Sequence, residues 1–411
     1  MTGAKWLPTL ILLTAFQVLS AGQVVISKDG ISKQSAIIFG LYIAIEWIYT
    51  IVSSIVRKKA SPALEFVAFF LTGIGLVIVA SVDEKLLKTQ FVAVVIGFLC
   101  YVFLLWLISS MDRAMAMRLP MGIAAIGLLI ITLALATNRN GAYNWIYIGS
   151  FSIQPSELVK VAFIFVGAAA LEKLQSTRSL TQYIAFAVVC IILLFLMKDL
   201  GTALVFFFTF LILAFMRSGD IRTIILVCVA AAMGAALVVL VKSDYVIRRF
   251  STYRHIWDDM DGSGYQQTRV LIYSVSGGLF GVGIGHGKLK NIFAATEDLV
   301  FGVLCEEWGI LMGIIVILCF AFIATHSIKC AIGCRYAFYT IAAVAAGGLL
   351  LFQASLNIFG VTDFLPMTGI TLPFISRGGS SAISCWSLIA FIKAADNRTW
   401  LGSRYHTEVV E

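Results

Sequence analysis

Charged residues are scarce in this sequence, and its apolar runs are not interrupted by regularly alternating polar residues. Of the 411 residues, 13% are Asp, Glu, Lys or Arg and 60% are hydrophobic. A soluble domain would carry about 25% charged residues, and a membrane β-barrel would alternate apolar and polar positions. Both classes are excluded. Runs long enough to cross about 30 Å of hydrocarbon predict an all-α polytopic membrane protein.

Two kinds of binding module are also missing. The net charge is +8, but no segment interleaves basic and aromatic residues as nucleic-acid-binding modules do. Six of the eight cysteines lie in apolar runs, and Cys330 and Cys334 have only His326 nearby, which makes a poor zinc site. We expect no nucleic-acid partner and no structural zinc.

Apolar runs between charged residues and Gly, Pro or Asn breaks predict about twelve membrane helices. They lie near 6–26, 36–56, 63–81, 89–109, 120–137, 156–171, 180–197, 200–216, 222–242, 299–324, 335–360 and 380–395. The first run follows Lys5 and precedes small residues, as in a signal peptide. Because it is long enough to span a bilayer, we interpret it as a retained helix.

Basic residues mark every second short loop. These loops read VRKKASP, MDRAMAMR, EKLQSTR, MRSGDIR and HSIKCAIGCR. Cytoplasmic loops collect Lys and Arg, so these loops and both chain termini are predicted to be cytoplasmic. Two long loops, 138–155 and 243–298, then lie outside.

The larger outer loop is rich in cations, which the orientation rule alone does not explain. Its cations include Arg248, Arg249, Arg254, Arg269, Lys288 and Lys290. Lys and Arg pair well with phosphate oxygens, so an anionic ligand at the outer surface is one interpretation. Solvated charges balanced by the Asp residues of the loop are the other.

The stretch QPSELVK, 154–160, opens a helix after the first outer loop. Proline suits a first helical turn, and Gln154 or Ser156 could cap it. Glu157 and Lys160 are three residues apart, so they share a helix face and can neutralise each other. Such an intramembrane pair is either part of a functional site or a structural salt bridge.

Three further breaks carry polar residues. In MKDLGTALVFF, Asp199 is a natural N-cap for the second of two helices. The glycine-rich segment 264–287 allows close backbone packing or a phosphate cradle. In the outer loop 365–381, Arg377 either pairs with Asp363 or faces an anionic substrate.

Carboxylates stand at the head of and inside the apolar run ATEDLVFGVLCEEWGILMG, 295–313. They are Glu297, Asp298, Glu306 and Glu307. Acids in such a run need a partner or a function.

Taken together, these segments resemble the family of shape, elongation, division and sporulation (SEDS) proteins, which includes FtsW, RodA and SpoVE. The resemblance covers residues 62–396 and rests on GAYNW, QPSELVK, DLGTA, the glycine-rich segment through ATEDLVFGVLCEEWG, and LPFISRGGSS. It implies a ten-helix core. Residues 1–61 then form two additional N-terminal helices, and 397–411 a cytoplasmic tail.

The resemblance implies peptidoglycan glycan-strand polymerisation from lipid II, an undecaprenyl-pyrophosphate-linked disaccharide peptide, at the outer face of the bacterial cytoplasmic membrane. The essential aspartate of the family corresponds to Asp298. Its substrate-binding tryptophan corresponds to Trp145, and its Glu and Lys to Glu157 and Lys160. A class B penicillin-binding protein, a transpeptidase, is the implied partner.

The chemistry of this reaction suits the residues. A sugar hydroxyl is a poor nucleophile, and a positioned base such as Asp298 contributes about 10²- to 10⁴-fold. The pyrophosphate leaving group calls for fixed cations or a divalent metal, Mg²⁺ or Mn²⁺. Candidate cations are Arg248, Arg249, Arg269, Lys288, Lys290 and Arg377. Glu306 and Glu307, about 12 Å further along a helix, are expected to be buried partners of a cation.

The sequence departs from the family pattern near these positions. Asn144 replaces an Arg, Glu297 a Thr, Arg377 a Tyr, Lys198 a Pro and Asp363 a small residue. Arg377 could offset the cation lost at 144. Glu297 could share a proton with Asp298.

Two other functions fit the same features. A flippase for lipid-linked precursors would also have many helices and intramembrane ion pairs, but no inverted repeat is visible. A non-catalytic scaffold for a transpeptidase is the second alternative, which the presence of Asp298 disfavours.

Overall fold

The computed structural model describes residues 6–27, 30–56, 61–139, 142–148, 151–172, 177–222, 225, 227–229, 253–262, 264–334 and 336–396. Helices in this part are α1 Leu7–Val25, α2 Lys33–Val56, α3 Ala63–Val82, α4 Glu84–Leu107, α5 Met111–Leu135, α6 Pro155–Leu171, α7 Thr177–Leu196, α8 Leu200–Ser218, α9 Tyr265–Ser276, α10 Val300–Trp308, α11 Ile310–Ile332, α12 Ala337–Val361 and α13 Gly379–Ala395. A 3₁₀ turn covers Leu289–Asn291. The protein is therefore an α-helical membrane protein, as predicted.

Eight of these helices are long and apolar enough to cross a membrane: α1 to α5, α8, α11 and α12. The predicted helix 222–242 and the tail 397–411 lie largely or wholly outside the described residues. The count of twelve helices and the location of the termini therefore stay predictions.

Strands occur in two connections that were predicted as loops. Strands β1 Ile26–Ser27 and β2 Gly30–Ile31 form a hairpin between α1 and α2. Strands β3 Thr137–Arg139, β4 Ala142–Ile148 and β5 Phe151–Ile153 form an antiparallel sheet in the order β3-β4-β5 between α5 and α6. The β4 sequence AYNWIYI is rich in aromatic and β-branched residues, the composition typical of strands.

The predicted helix 299–324 was wrong because the chain breaks at Gly309. This residue has φ +85° and ψ 166°, and a Cβ on it would lie 2.2 Å from the Leu279 carbonyl oxygen. The ring of Phe301 lies 3.3 Å from the Cβ position of Gly313. In a straight helix, twelve residues would separate them by about 18 Å. Helix α10 therefore folds back on α11.

Helices α4 and α13 pack closely at the centre of the described core. A Cβ on Gly97 of α4 would lie 2.9 Å from the Ala382 carbonyl oxygen of α13. The fully buried Trp386 of α13 contacts Phe69 and Phe98, with ring centroids 4.8 and 5.4 Å away. Offset and edge-on aromatic pairs of this kind add to the free energy of burial, so α13 is fixed in position.

The N-terminal hairpin α1–α2 is joined to this core by polar contacts. Tyr42 of α2 donates to the Phe69 carbonyl oxygen at 2.6 Å, and Tyr49 donates to Glu65 Oε1 at 2.7 Å. The same Glu65 pairs with Lys393 of α13 at 2.8 Å, and both are buried. Because Tyr49 donates to the carboxylate of a buried core ion pair, the hairpin is an integral part of the described bundle.

Candidate active site

Asp298 lies in the turn that precedes α10. Its amide donates to the Ala294 carbonyl oxygen at 3.1 Å, and its own carbonyl oxygen accepts from Asn357 Nδ2 at 2.9 Å. Asn357 stands one turn before the end of α12. A Cβ on Gly369 would lie 3.5 Å from Asp298 Oδ2, so the carboxylate lies beside the backbone of the 365–378 loop. The side chain is half-buried.

The segment 295–298 is bound to the far end of that loop. The Arg377 amide donates to the Thr296 carbonyl oxygen at 2.7 Å, and Ser376 Oγ donates to the Glu297 carbonyl oxygen at 2.5 Å. Arg377 Nη2 lies 3.3 Å from Glu297 Oε1. The partner of Arg377 is therefore not Asp363, and contact with an anionic substrate stays a prediction, since the Arg377 side chain is 34% exposed. Its partner is Glu297.

Helix α12 joins Asp298 to the predicted ion pair of α6. Lys160 Nζ lies 2.7 Å from Glu157 Oε1 and donates to Gln353 Oε1 at 2.8 Å. Gln353 and Asn357 are four residues apart, and so share a face of α12. The side chain of Lys160 is only 1% exposed. The pairing of Glu157 with Lys160 is confirmed, and it lies inside the protein.

The network continues through the 365–378 loop to α13. Gln353 Nε2 donates to the Thr371 carbonyl oxygen at 3.0 Å. Thr371 Oγ1 lies within hydrogen-bond distance of Ser381 Oγ, at 3.0 Å. Asn357 Nδ2 also donates to the neighbouring Ile370 carbonyl oxygen at 2.7 Å. One continuous set of hydrogen bonds thus connects Lys160, α12, this loop and the start of α13.

Asp199 forms a second polar cluster beside the same loop. It caps α8 by accepting from the Thr202 amide at 3.2 Å, as predicted. Its other oxygen accepts from Asn144 Nδ2 at 2.9 Å and from Gln154 Nε2 at 3.2 Å. Neither Gln154 nor Ser156 caps α6, so that prediction was wrong. The side-chain amide of Gln154 instead contacts Asp199, to whose carboxylate its Nε2 donates.

Two departures from the family pattern are explained here. Lys198 has φ +58°, a conformation that the fixed ring of proline cannot adopt. Asn144 donates to Asp199, whereas Arg377 pairs with Glu297. The two side chains thus contact different carboxylates, and the offset of the cation missing at 144 by Arg377 stays a prediction. Trp145 is half-buried in β4, opposite Thr137.

The glycine-rich segment packs its backbone against the end of α10. A Cβ on Gly277 would lie 2.3 Å from the Cys305 carbonyl oxygen, and one on Gly281 would lie 2.2 Å from that of Glu307. Close packing, one of the two interpretations of these glycines, is therefore observed. Side chains larger than hydrogen do not fit at these two positions.

Glu306 and Glu307 are both buried in α10. A cation was expected as the partner of Glu306, and that prediction was wrong. The two carboxylate oxygens of Glu306 accept from the backbone amides of Lys288 and Leu289 at 2.7 and 2.9 Å. Glu307 Oε2 accepts from Ser81 Oγ at 3.3 Å. Since α10 folds back on α11, distance along α10 does not measure depth in the membrane. Glu306 instead binds the backbone of Lys288 and Leu289, the residues that directly follow the glycine-rich segment, and so holds the end of that segment against α10.

We expect Glu306→Gln to lower stability. A carboxylate accepts from two amides at once, whereas a carboxamide offers one oxygen, and a hydrogen bond to a charged group is worth about 1.5–3 kcal/mol. Thermal unfolding in detergent would measure the loss. Glu307→Gln is the matched control, with a smaller loss because its bond to Ser81 is long. Equal losses in the two variants would contradict this role of Glu306.

The predicted substrate cations lie in several places. Arg269 of α9 is 3.6 Å from the exposed Asp261, and Lys288 is exposed. Arg248 and Arg249 lie outside the described residues. Within the described part, Arg377 contacts Thr296 and Glu297, the two residues that precede Asp298.

Sequence reasoning missed the amides and hydroxyls that assemble this site. They are Gln154, Gln353, Asn357, Thr371, Ser376 and Ser381. A signal for two of them was present, since Gln353 and Asn357 are uncharged polar residues spaced by four in the apolar run LLLFQASLNIFG. The loop hydroxyls carry no comparable pattern.

A family model that groups FtsW, RodA and SpoVE, described as a cell cycle protein, matches residues 62–399. The chain belongs to the FtsW/RodA/SpoVE family. Helices α1 and α2 precede the matched range. The site described above, from Asn144 to Ser381, lies inside it.

Relatives of this FtsW/RodA/SpoVE protein agree with the assignment. Stage V sporulation protein E of Bacillus subtilis is 30% identical over 344 residues, 79% of this chain and 94% of that protein. A probable peptidoglycan glycosyltransferase FtsW of Wigglesworthia glossinidia brevipalpis is 32% identical over 279 residues, 66% of this chain and 73% of that one.

Solved structures of similar fold extend the likeness to three dimensions. The crystal structure of the rod shape determining protein RodA of Thermus thermophilus is 26% identical, with a TM-score of 0.62, covering 82% of this chain and 97% of that one. A chain from a peptidoglycan synthase complex has a TM-score of 0.68 over 82% of this chain and 98% of that one. At 24% identity, the second likeness concerns the fold alone.

Proposed function

We propose that this protein is a peptidoglycan glycosyltransferase that polymerises glycan strands from lipid II. The observation that carries the proposal is the half-buried carboxylate of Asp298, held at the end of α12 in a chain of the FtsW/RodA/SpoVE family. Two relatives with this family name are called peptidoglycan glycosyltransferases, FtsW of Wigglesworthia glossinidia brevipalpis, as a probable one, and RodA of Mycobacterium bovis. The place of the reaction is the outer face of the bacterial cytoplasmic membrane.

Asp298 acts as the general base in this proposal. Its backbone is fixed by Ala294 and Asn357, so its carboxylate has a defined position from which to accept the proton of the attacking sugar hydroxyl. A base must lie within hydrogen-bond reach of that proton. The hydroxyl then attacks the anomeric carbon of the growing glycan, and the undecaprenyl pyrophosphate leaves.

Glu157 and Lys160 act in this proposal by positioning the site. Because Lys160 is buried and bonded to Glu157 and Gln353, its ammonium holds α6, α12 and the 365–378 loop together. Trp145, Arg269 and Lys288 remain proposed substrate contacts. So do Arg248, Arg249 and Arg377.

A divalent metal was one expectation for the pyrophosphate. Within the described residues, no group of three or more His, Cys, Asp or Glu side chains gathers in a way that could hold a metal ion. Beside Asp298, the neighbouring carboxylate Glu297 is engaged by Arg377. The described side chains alone do not form a metal site, and a divalent cation at the pyrophosphate stays a prediction.

A class B penicillin-binding protein is the proposed partner. The structural neighbour with the TM-score of 0.68 comes from work on polymerization and crosslinking by a peptidoglycan synthase complex. A transpeptidase that cross-links new strands would act beside the polymerase.

The proposal is tested by incubating the purified protein with lipid II, with and without the transpeptidase encoded by the same organism. We expect glycan chains. No polymer under either condition, with labelled lipid-linked precursor instead crossing the bilayer of reconstituted vesicles, would favour a flippase. No polymer and no transport would favour a scaffold.

The pair Arg377–Glu297 gives a further expected result. Arg377→Gln leaves the Glu297 carboxylate without this partner next to Asp298, and we expect glycan synthesis to fall. Both side chains are partly exposed, so stability should change by less than about 1 kcal/mol. The double variant Glu297→Gln/Arg377→Gln should recover activity. Equal activities of the single and double variants would refute the coupling.

Proton sharing between Glu297 and Asp298 stays a prediction. It requires that the profile of activity against pH differ between the wild-type protein and Glu297→Gln. An unchanged profile would rule it out.

A further inference from the structure

An uncharged, apolar surface covers the second half of helix α9 and the residues that follow it. Between Arg269 and Lys288 the sequence contains no Asp, Glu, Lys or Arg. Several large apolar side chains there are exposed, among them Val275 at 79% and Phe280 at 80%. The remaining members of this surface are Ile272, Leu279 and Val282. Five large apolar side chains exposed together mark a contact surface.

The backbone holds these side chains outward. Gly277 and Gly281 leave no space for a Cβ against the carbonyls of α10, so the segment lies directly on that helix. The Val282 amide donates to the Glu306 carbonyl oxygen at 2.9 Å. With its backbone fixed on one side, the segment presents Leu279 and Phe280 on the other.

The surface is continuous with the start of the membrane helix α11. The amides of Ile310 and Leu311 donate to the carbonyl oxygens of Gly278 and Leu279 at 3.0 and 3.4 Å. Ile310 and Leu311 are themselves 41% and 42% exposed, as expected for a helix whose side faces lipid. The apolar surface therefore begins where the lipid-facing side of α11 begins.

Charge favours lipid over a protein as the occupant. The uncharged stretch is bounded by cations at both ends, Arg269 and Lys288. Amphipathic segments that lie in a membrane interface combine apolar side chains with flanking Lys and Arg, which attract lipid phosphates.

We propose that residues 272–282 insert into the bilayer, with Ile272, Val275, Leu279, Phe280 and Val282 among the acyl chains of the leaflet in which α11 starts. Helix α9 and the glycine-rich segment then form an interfacial anchor. The anchor is bonded through Val282 to α10, the helix that follows Asp298. This inference does not depend on the glycosyltransferase proposal.

Photocrosslinking tests the anchor in the full-length protein. The photoreactive residue p-benzoylphenylalanine is placed at the position of Phe280, and the protein is reconstituted in phosphatidylcholine–phosphatidylglycerol vesicles. Matched versions carry it at the position of Ile314, a lipid-facing residue of α11, and at that of Asp258, an exposed loop residue. After illumination, mass spectrometry of the peptides measures lipid adducts.

We expect as much lipid adduct at position 280 as at 314, and less than about a tenth of that amount at 258. Adduct at 280 as low as at 258 would overturn the proposal. The same protein illuminated in native membranes should again give lipid adducts. Replacement of these by an adduct with a polypeptide would assign the surface to a protein partner. If the version at 280 does not fold, the position of Val275 answers the same question.

Discussion

Asp298→Asn should abolish glycan synthesis and leave the fold intact. Asparagine has the shape of aspartate but cannot take a proton, and loss of a general base costs about 10²- to 10⁴-fold in rate. The bond that Asn357 makes is to the backbone of residue 298, so it persists in the variant. The measurement is the rate of lipid II polymerisation by purified protein, with thermal unfolding to establish equal stability.

Asp258→Asn is the matched control for this result. Asp258 is an exposed carboxylate of the described loop whose hydrogen-bond partner is His255, and the same substitution there should leave the rate unchanged. If Asp298→Asn kept more than about a tenth of the wild-type rate, Asp298 would not be the base.

Lys160→Met should be the most destabilising single substitution of the site. It leaves Glu157 as a buried charge without its cation, and Glu157 Oε2 has no hydrogen-bond partner to compensate. Breaking a buried ion pair by removing one partner costs about 3–5 kcal/mol. Denaturant unfolding in mixed micelles would measure this loss of unfolding free energy.

The double variant Glu157→Leu/Lys160→Met distinguishes the buried charge from lost packing. With both charges removed, no buried ion is left unpaired, and most of the stability should return, apart from the hydrogen bond that Gln353 Oε1 loses. Lys85→Met, at an exposed position of α4, should change stability by less than about 0.5 kcal/mol. If the double variant were as unstable as Lys160→Met, desolvation of Glu157 would not be the cause.

Much of the helical fold could be predicted because membrane spans are read from apolar length. The break at Gly309 could not be predicted, because apolar residues continue on both sides of it in GVLCEEWGILMG and a single glycine does not identify a break. The contact that requires glycine there comes from the Leu279 carbonyl oxygen, thirty residues away. The sheet at 137–153 could not be read from apolar length, because its strands are only 3, 7 and 3 residues long.

In the candidate site, too, residues in local motifs could be predicted, whereas partners distant in the sequence could not. Asp298 and the pair Glu157–Lys160 came from motifs with local spacing. The partner of Arg377 could not be inferred from the sequence. Glu297 is eighty residues away from Arg377, whereas Asp363 is a carboxylate much nearer in the chain. Similarly, Glu306 was expected to need a cation, yet two backbone amides provide its hydrogen bonds.

The side-chain amide nitrogen of Asn357 links two backbone segments of the site to α12. One Nδ2 donates its two hydrogens to two carbonyls, those of Asp298 and Ile370. Neither segment can separate from α12 without releasing that nitrogen from one of its acceptors. The Arg377 amide and Ser376 Oγ join the same two segments at their other end. We therefore expect the two segments to unfold locally as one cooperative unit with a shared free energy of opening. The Arg377 amide and the Leu372 amide, which donates to Ser376 Oγ at 2.8 Å, should show the same hydrogen-exchange protection.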